Sequence, residues 1–114
     1  MRSKYHNKKV VWRGEKFDSI KERDRYSELL LLQRARKITG LSRQVKFQLI
    51  PTQYTNDGKL LFRATHYIAD FVYWQDGKYV VEDVKGYKKG QAYQEFLIKK
   101  KLMYMTYGHI VKET

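Results

Sequence analysis

Asp70 and Asp83 lie on either side of an Asp76-Gly77 dipeptide, and Lys85 follows Asp83 by two positions. An Asp-Gly pair between runs of apolar, β-branched and aromatic residues signals a two-residue hairpin turn. With Asp76-Gly77 as that turn, Gln75 pairs with Lys78, Trp74 with Tyr79, Tyr73 with Val80, Val72 with Val81, Phe71 with Glu82, and Asp70 with Asp83. Directly opposed residues share a side of the sheet, and alternation adds Lys85 to that side. The face then reads Ile68, Asp70, Val72 and Trp74 beside Tyr79, Val81, Asp83 and Lys85, a core-type surface that ends in two acids and a lysine. Carboxylates held roughly 5 Å apart across a sheet repel each other, and a cation relieves the repulsion. Mg²⁺ suits such a pair, because it takes one or two carboxylates and completes its shell with water and phosphate; Mn²⁺ is expected to substitute. The ion polarises a phosphate oxygen and lowers the pKa of a water. A lysine alongside orients that water or stabilises charge building on the phosphate. The chemistry implied is phosphodiester hydrolysis. Glu82 competes with Asp83, but parity puts it on the opposite face, against Phe71, in a structural or dimer-surface role. A bulge or a three-residue turn would exchange the two acids.

The elements that must position these residues follow from periodicity and turn chemistry. Residues 10–17, with Arg13-Gly14 near the middle, predict a short hairpin. Ser19 with Glu22 three positions later fits a capping box, opening a helix over about residues 20–36 that Lys37 to Gly40 ends. Glu22, Tyr26, Leu29, Leu30 and Gln33 share one face of it. Residues 45–50 alternate as a strand. Asp57-Gly58 reads as a second two-residue turn; a strand leaves it at Leu60, and residues 67–74 form another strand, with nothing in the pattern to separate the two. Residues 79–85 are the next strand, 86–90 a basic loop, 92–106 a second helix ended by Gly108, and 109–111 a last short strand. The order is helix, three antiparallel strands, helix, strand: an α/β fold of one mixed sheet and two main helices.

Charge points to the partner. The chain has 24 Lys and Arg against 12 Asp and Glu, a net +12 on a single domain spanning residues 1–114, which favours a polyanion. The excess is clustered. Residues 1–16 carry Arg2, Lys4, Lys8, Lys9, Arg13 and Lys16 against Glu15 alone, with residues 1–9 expected to form a loose basic arm. Residues 85–101 carry Lys85, Lys88, Lys89, Lys99, Lys100 and Lys101 against Glu95 alone. The absence of cysteine excludes disulfides, thiol catalysis and cysteine-held zinc. His6, His66 and His109 are scattered without zinc spacing and read as structural or surface residues. No apolar run approaches a membrane span and no signal-peptide core follows the basic start, so a cytoplasmic protein without a membrane partner is expected.

Ala69-Asp70, twelve intervening residues and then Asp83-Val84-Lys85 resemble the PD-(D/E)XK nuclease signature, with Ala69 where the first acid is often preceded by proline. Over nearly the full length, Lys4-Tyr5, Phe17-Asp18-Ser19, Glu22, residues 67–71 and residues 82–86 resemble small phage-encoded members of that superfamily. The resemblance implies a restriction-endonuclease-like core in α-β-β-β-α-β order. It implies a further acid from the first helix, for which Glu22 is the best match as catalytic residue and metal ligand, and an accessory polar residue near the metal, matched by Gln44. Small size and heavy basic excess resemble the Holliday-junction resolvases, which implies a homodimer cutting four-way DNA junctions in the host cytoplasm. Lys4, Lys8, Lys9, Lys88, Lys89 and Lys100 are then the expected DNA contacts, giving affinity and salt dependence without sequence reading. Two other functions stay open: a nuclease of the same fold acting on linear duplex or single-stranded DNA, and a non-catalytic nucleic-acid-binding protein.

Overall fold

Arg13 and Gly14 both take positive φ, 53° and 77°, the pair of left-handed residues that a type I′ turn requires. In the computed structural model, which describes residues 8–114, they join β1 (Val10–Trp12) to β2 (Glu15–Phe17), the hairpin expected there. Helix α1 (Ile20–Arg34) begins at Ser19, whose Oγ accepts the Glu22 backbone N–H at 3.0 Å. That is one half of the predicted capping box; the Glu22 carboxylate turns instead to Arg43. The helix ends at Arg34, slightly earlier than expected.

The first long strand, β3 (Thr39–Ile50), starts well before Val45, so part of the segment expected to end the helix is already sheet. A small hairpin follows, β4 (Gln53–Tyr54) and β5 (Leu60–Phe62). Its loop differs from expectation. Thr55 N–H donates to the Lys59 carbonyl at 2.8 Å and Gly58 N–H to the Thr55 carbonyl at 3.0 Å. Three residues, Asn56 to Gly58, therefore make the turn, with Gly58 at φ 85° in the left-handed position such loops use. Strand β6 (Thr65–Gln75) is separate from β5 and is followed by β7 (Lys78–Asp83), α2 (Gly90–Tyr107) and β8 (Lys112–Glu113). Gly108 at φ 76° caps α2 in the left-handed conformation, donating to the Tyr104 carbonyl.

The main sheet has the order β3-β6-β7-β8. Its first two pairings are antiparallel, and β8 runs parallel to β7, which requires a long crossover; α2 supplies it. The fold is a mixed α/β layer structure, as expected. Leu29 of α1 buries against Phe71 and Tyr73, whereas Phe96 and Met103 of α2 bury against Val72 and Val81. Because Phe71 and Val72 are consecutive on one strand, the helices cover opposite faces of the sheet.

Beyond the register shifts between Thr39 and Ser42 and between Gln48 and Ile50, simple alternation fails midway along β3 and β6. Val45, Phe47, Tyr67 and Ala69 pack on the α2 side, while Leu41, Phe71 and Tyr73 pack on the α1 side, although all are odd-numbered on their strands. The change falls between the pairs Val45–Ala69 and Arg43–Phe71, at Gln44, whose φ is 52°, and Asp70. The single face expected for Ile68, Asp70, Val72 and Trp74 is therefore broken. Ile68 is 50% exposed, and its neighbours Tyr67 and Ala69 point inward. Among the described residues no helix is long and apolar enough to cross a membrane.

Candidate active site

Asp76 and Gly77 take φ of 51° and 76°, so the β6–β7 turn is the two-residue type. It fixes the pairs Gln75–Lys78, Trp74–Tyr79, Tyr73–Val80, Val72–Val81 and Phe71–Glu82, as the sequence predicts. One step further, where Asp70 comes opposite Asp83, the strands part. Here Val84 N–H donates to Asp70 Oδ2 at 2.8 Å, and Gln44 Nε2 donates to Oδ1 at 3.3 Å. The two acids thus sit at the mouth of the hairpin, beside the point where β3 and β6 exchange faces.

Asp83 is buried and held at both oxygens. Tyr67 donates its hydroxyl to Oδ1 at 2.8 Å, and Lys85 Nζ lies 2.7 Å from Oδ2. The backbone is pinned as well: Thr114 N–H donates to the Asp83 carbonyl at 2.9 Å, and Lys85 N–H to the Thr114 carbonyl at 2.8 Å, extending the β7–β8 ladder. Lys85 stands 3.6 Å above the centre of the Phe96 ring, and Lys21 Nζ donates to the Lys85 carbonyl at 2.6 Å. A lysine clamped between a carboxylate and an aromatic face keeps its charge at one place.

The electrostatics show the strain of pairing acids. Burial, and then the charge of Asp83, push the Asp70 carboxyl up to about 7, against the smaller opposing effects of the Val84 and Gln44 hydrogen bonds. Glu22 is buried and is also raised, first by burial and then by Asp18, with Arg43 opposing and Asp83 adding to the rise. Glu22, Asp70 and Asp83 therefore share one electrostatic neighbourhood. Among the described residues no three His, Cys, Asp or Glu side chains group closely enough to hold a metal ion in this arrangement. Arg43, 3.3 Å from Glu22 and 2.8 Å from Glu15, holds the Glu22 carboxylate. Two carboxylates with Gln44 alongside remain, and their hard oxygen donors fit Mg²⁺ or Mn²⁺.

Glu82, one residue away, has a different surrounding. It is fully buried, takes Arg25 Nε at 2.5 Å and Arg25 Nη2 at 3.1 Å, and accepts the Tyr73 hydroxyl at 2.6 Å. Burial works to raise its pKa, but the Arg25 and Tyr73 hydrogen bonds outweigh it and hold the carboxyl below its ordinary value. Its role is structural, and its complete burial removes the dimer-surface alternative.

The expected DNA-binding lysines are dispersed. Lys8, Lys9, Lys88 and Lys89 are exposed. Lys100 is instead half-buried against Glu113 at 2.7 Å, so its charge is neutralised within the chain, and Lys88 lies 3.8 Å from the same carboxylate. Lys4 and the first part of the expected arm lie outside the described residues. Sequence reasoning missed Tyr67, Arg43, Phe96 and Lys21. Tyr67 carried a signal: a tyrosine rather than a phenylalanine on a buried strand needs a partner for its hydroxyl, and the nearest acids in register are those of the site.

The chain belongs to the family described as protein of unknown function, DUF1064, whose model matches residues 2–113. No curated protein and no solved structure matches it.

Proposed function

We propose that the chain is a metal-dependent DNA endonuclease of the PD-(D/E)XK type, acting as a homodimer on branched DNA in the cytoplasm of a phage-infected host. The observation that carries the reading is the Asp70–Asp83 pair at the parting of β6 and β7, with Asp70 pushed up to about 7 and Lys85 against Asp83. The order α1-β3-β6-β7-α2-β8, with a parallel last strand, supports a restriction-endonuclease-like core. Asp70 and Asp83 are the residues that would hold the ion. When bound, it supplies polarisation of a phosphate oxygen and a more acidic water. Lys85, fixed on Phe96, presents its ammonium to the charge that develops on the phosphate. Gln44 and Tyr67 orient the two carboxylates. Glu22 adds negative potential from α1, and ligation by it requires its contact with Arg43 to open.

The net charge of +12 supports a nucleic-acid substrate. One acid pair per chain makes one cut, so cleaving two strands together needs two copies. Tyr54, Leu60, Leu61 and Phe62, all exposed on the β4–β5 hairpin, offer apolar surface suited to contact between copies.

Incubation with Mg²⁺ and a four-way junction, a linear duplex or a single strand tests the reading. Symmetric cuts near the junction centre are expected. Equal cutting of the linear duplex would move the assignment to a general nuclease of this fold. Binding without cleavage of any substrate, with Mg²⁺ or Mn²⁺, would leave a non-catalytic nucleic-acid-binding protein.

A further inference from the structure

A pocket of 310 Å³, with Asp83 and Lys85 in its lining, opens between the start of β6 and the first half of α2. Its floor is apolar, made by Tyr67, Ile68 and Phe96, and its walls carry His66 and Lys99, with Glu95 on the α2 side. The size is at the small end of the roughly 300–1,000 Å³ typical of ligand pockets. The side chains of His66 and Lys99 have no hydrogen bond or ion pair among the described residues, whereas Lys85 is paired with Asp83 and Lys100 with Glu113. Both are half-buried, so an imidazole and an ammonium are held partly out of water with their polar ends unmatched.

We infer that this pocket is a nucleotide subsite, in which His66 and Lys99 hold the phosphate next to the one being cut while the sugar and base rest on Tyr67, Ile68 and Phe96. The inference rests on the nucleic-acid reading of the site but not on cleavage itself. An apolar floor with the donors of His66, Lys85 and Lys99 around it suits single-stranded nucleic acid, where stacking surface and backbone contacts act together, and places the phosphate on the side away from the Asp83 and Glu95 carboxylates. Phosphate is the ligand that matches two unpaired donors of this kind. The pocket adjoins Lys85, so a strand entering it passes the acid pair within one nucleotide's reach. Lys99 therefore differs from its neighbour Lys101, which is exposed and borders a different, apolar hollow with Leu97, Tyr104 and Ile110.

The test is fluorescence anisotropy of a labelled short single-stranded DNA with the full-length protein in Ca²⁺, repeated over a range of salt. Lys99→Ala and His66→Ala are each expected to weaken binding about five- to tenfold. Lys99→Ala is also expected to reduce the salt slope by about one. Lys101→Ala serves as the control and is expected to bind like the parent. Thermal melting of each variant separates a lost contact from a lost fold, and Lys99→Arg, which keeps the charge, is expected to restore most of the affinity. Unchanged binding by Lys99→Ala and His66→Ala, or an equal loss with Lys101→Ala, would overturn the subsite. Failure of the parent to cleave DNA, with the Lys99 dependence of binding intact, would instead remove the nuclease reading and leave the subsite standing.

Discussion

Glu82 and Asp83 are consecutive acids on one strand, and the sheet sends them to opposite worlds. On the α1 side Glu82 meets Arg25 and Tyr73, and each of its oxygens has a matched donor. On the other side Asp83 is also held at both oxygens, by Tyr67 and Lys85, but it faces a second acid, and Asp70 responds by holding its proton to about pH 7. A buried carboxylate with a guanidinium fork is a structural joint. Two carboxylates brought together at the end of a hairpin raise the energy of the folded chain, and the proposed divalent ion would remove their repulsion. The contrast separates a residue that holds the fold from one that, on the proposed reading, works on a substrate, one peptide bond apart.

The comparison breaks most readily at Asp83. Asp83→Asn is expected to reduce cleavage at least about 10³-fold, the several kcal/mol that ion-assisted catalysis supplies, while leaving DNA binding equal or tighter, as read by gel shift. Retained cutting would take Asp83 out of the site. Glu82→Ala is expected to do the converse. It leaves the half-buried Arg25 with Glu28 alone and Tyr73 without its acceptor; breaking a buried pair costs up to about 3–5 kcal/mol, and the loss is measurable by urea denaturation. A Glu82 variant with parental stability but no activity would reverse the two roles.

pH sharpens the same contrast. The Asp70 pKa is raised on folding from 3.8 to about 7, so between those values the folded chain binds the proton that the unfolded chain has released. Stability is then lost as pH rises through this window, and the loss is complete above about 7. The lowered pKa of Glu82 acts in the opposite sense, with its stabilisation present at neutral pH and lost as pH falls below the ordinary carboxylate range. Without divalent ions the melting temperature is expected to fall between pH 5 and pH 8, on the order of a few kcal/mol in stability. Asp70→Asn should flatten that fall. A parent protein with no such slope would contradict the raised Asp70.

The smallest effects belong to the exposed lysines. Lys88→Ala and Lys89→Ala are each expected to weaken binding evenly across DNA substrates and lower the salt slope by about one.

The register of β6 on β7 was legible because Asp76-Gly77 forms the two-residue turn that an Asp-Gly pair favours, and five pairs follow from it. The same dipeptide misled at Asp57-Gly58, where Thr55 closes a three-residue loop through both its backbone N–H and its carbonyl; a dipeptide cannot show which residues will close it. The length of β3 was hidden by Gly40 and Ser42, which interrupt the apolar pattern although the backbone continues. The exchange of faces at Gln44 and Asp70 was illegible for a deeper reason: alternation assumes an even pleat, and a non-glycine residue at positive φ breaks it without a mark in the sequence. Asp70 and Asp83 still come into one electrostatic neighbourhood, because Asp70 lies at the irregularity itself and Asp83 comes opposite it at the end of β7. Arg43, which takes Glu22 away from the pair, is reached only through tertiary contact between β3 and α1.

The central claim is that Asp70 and Asp83 together hold a divalent ion, and Mn²⁺ titration followed by electron paramagnetic resonance, with uncleavable DNA present, tests it most directly. Saturable uptake by the parent chain, lost in both Asp70→Asn and Asp83→Asn and kept in Lys88→Ala, is the expected result. Uptake that is absent from the parent, or unchanged in the two aspartate variants, would contradict it.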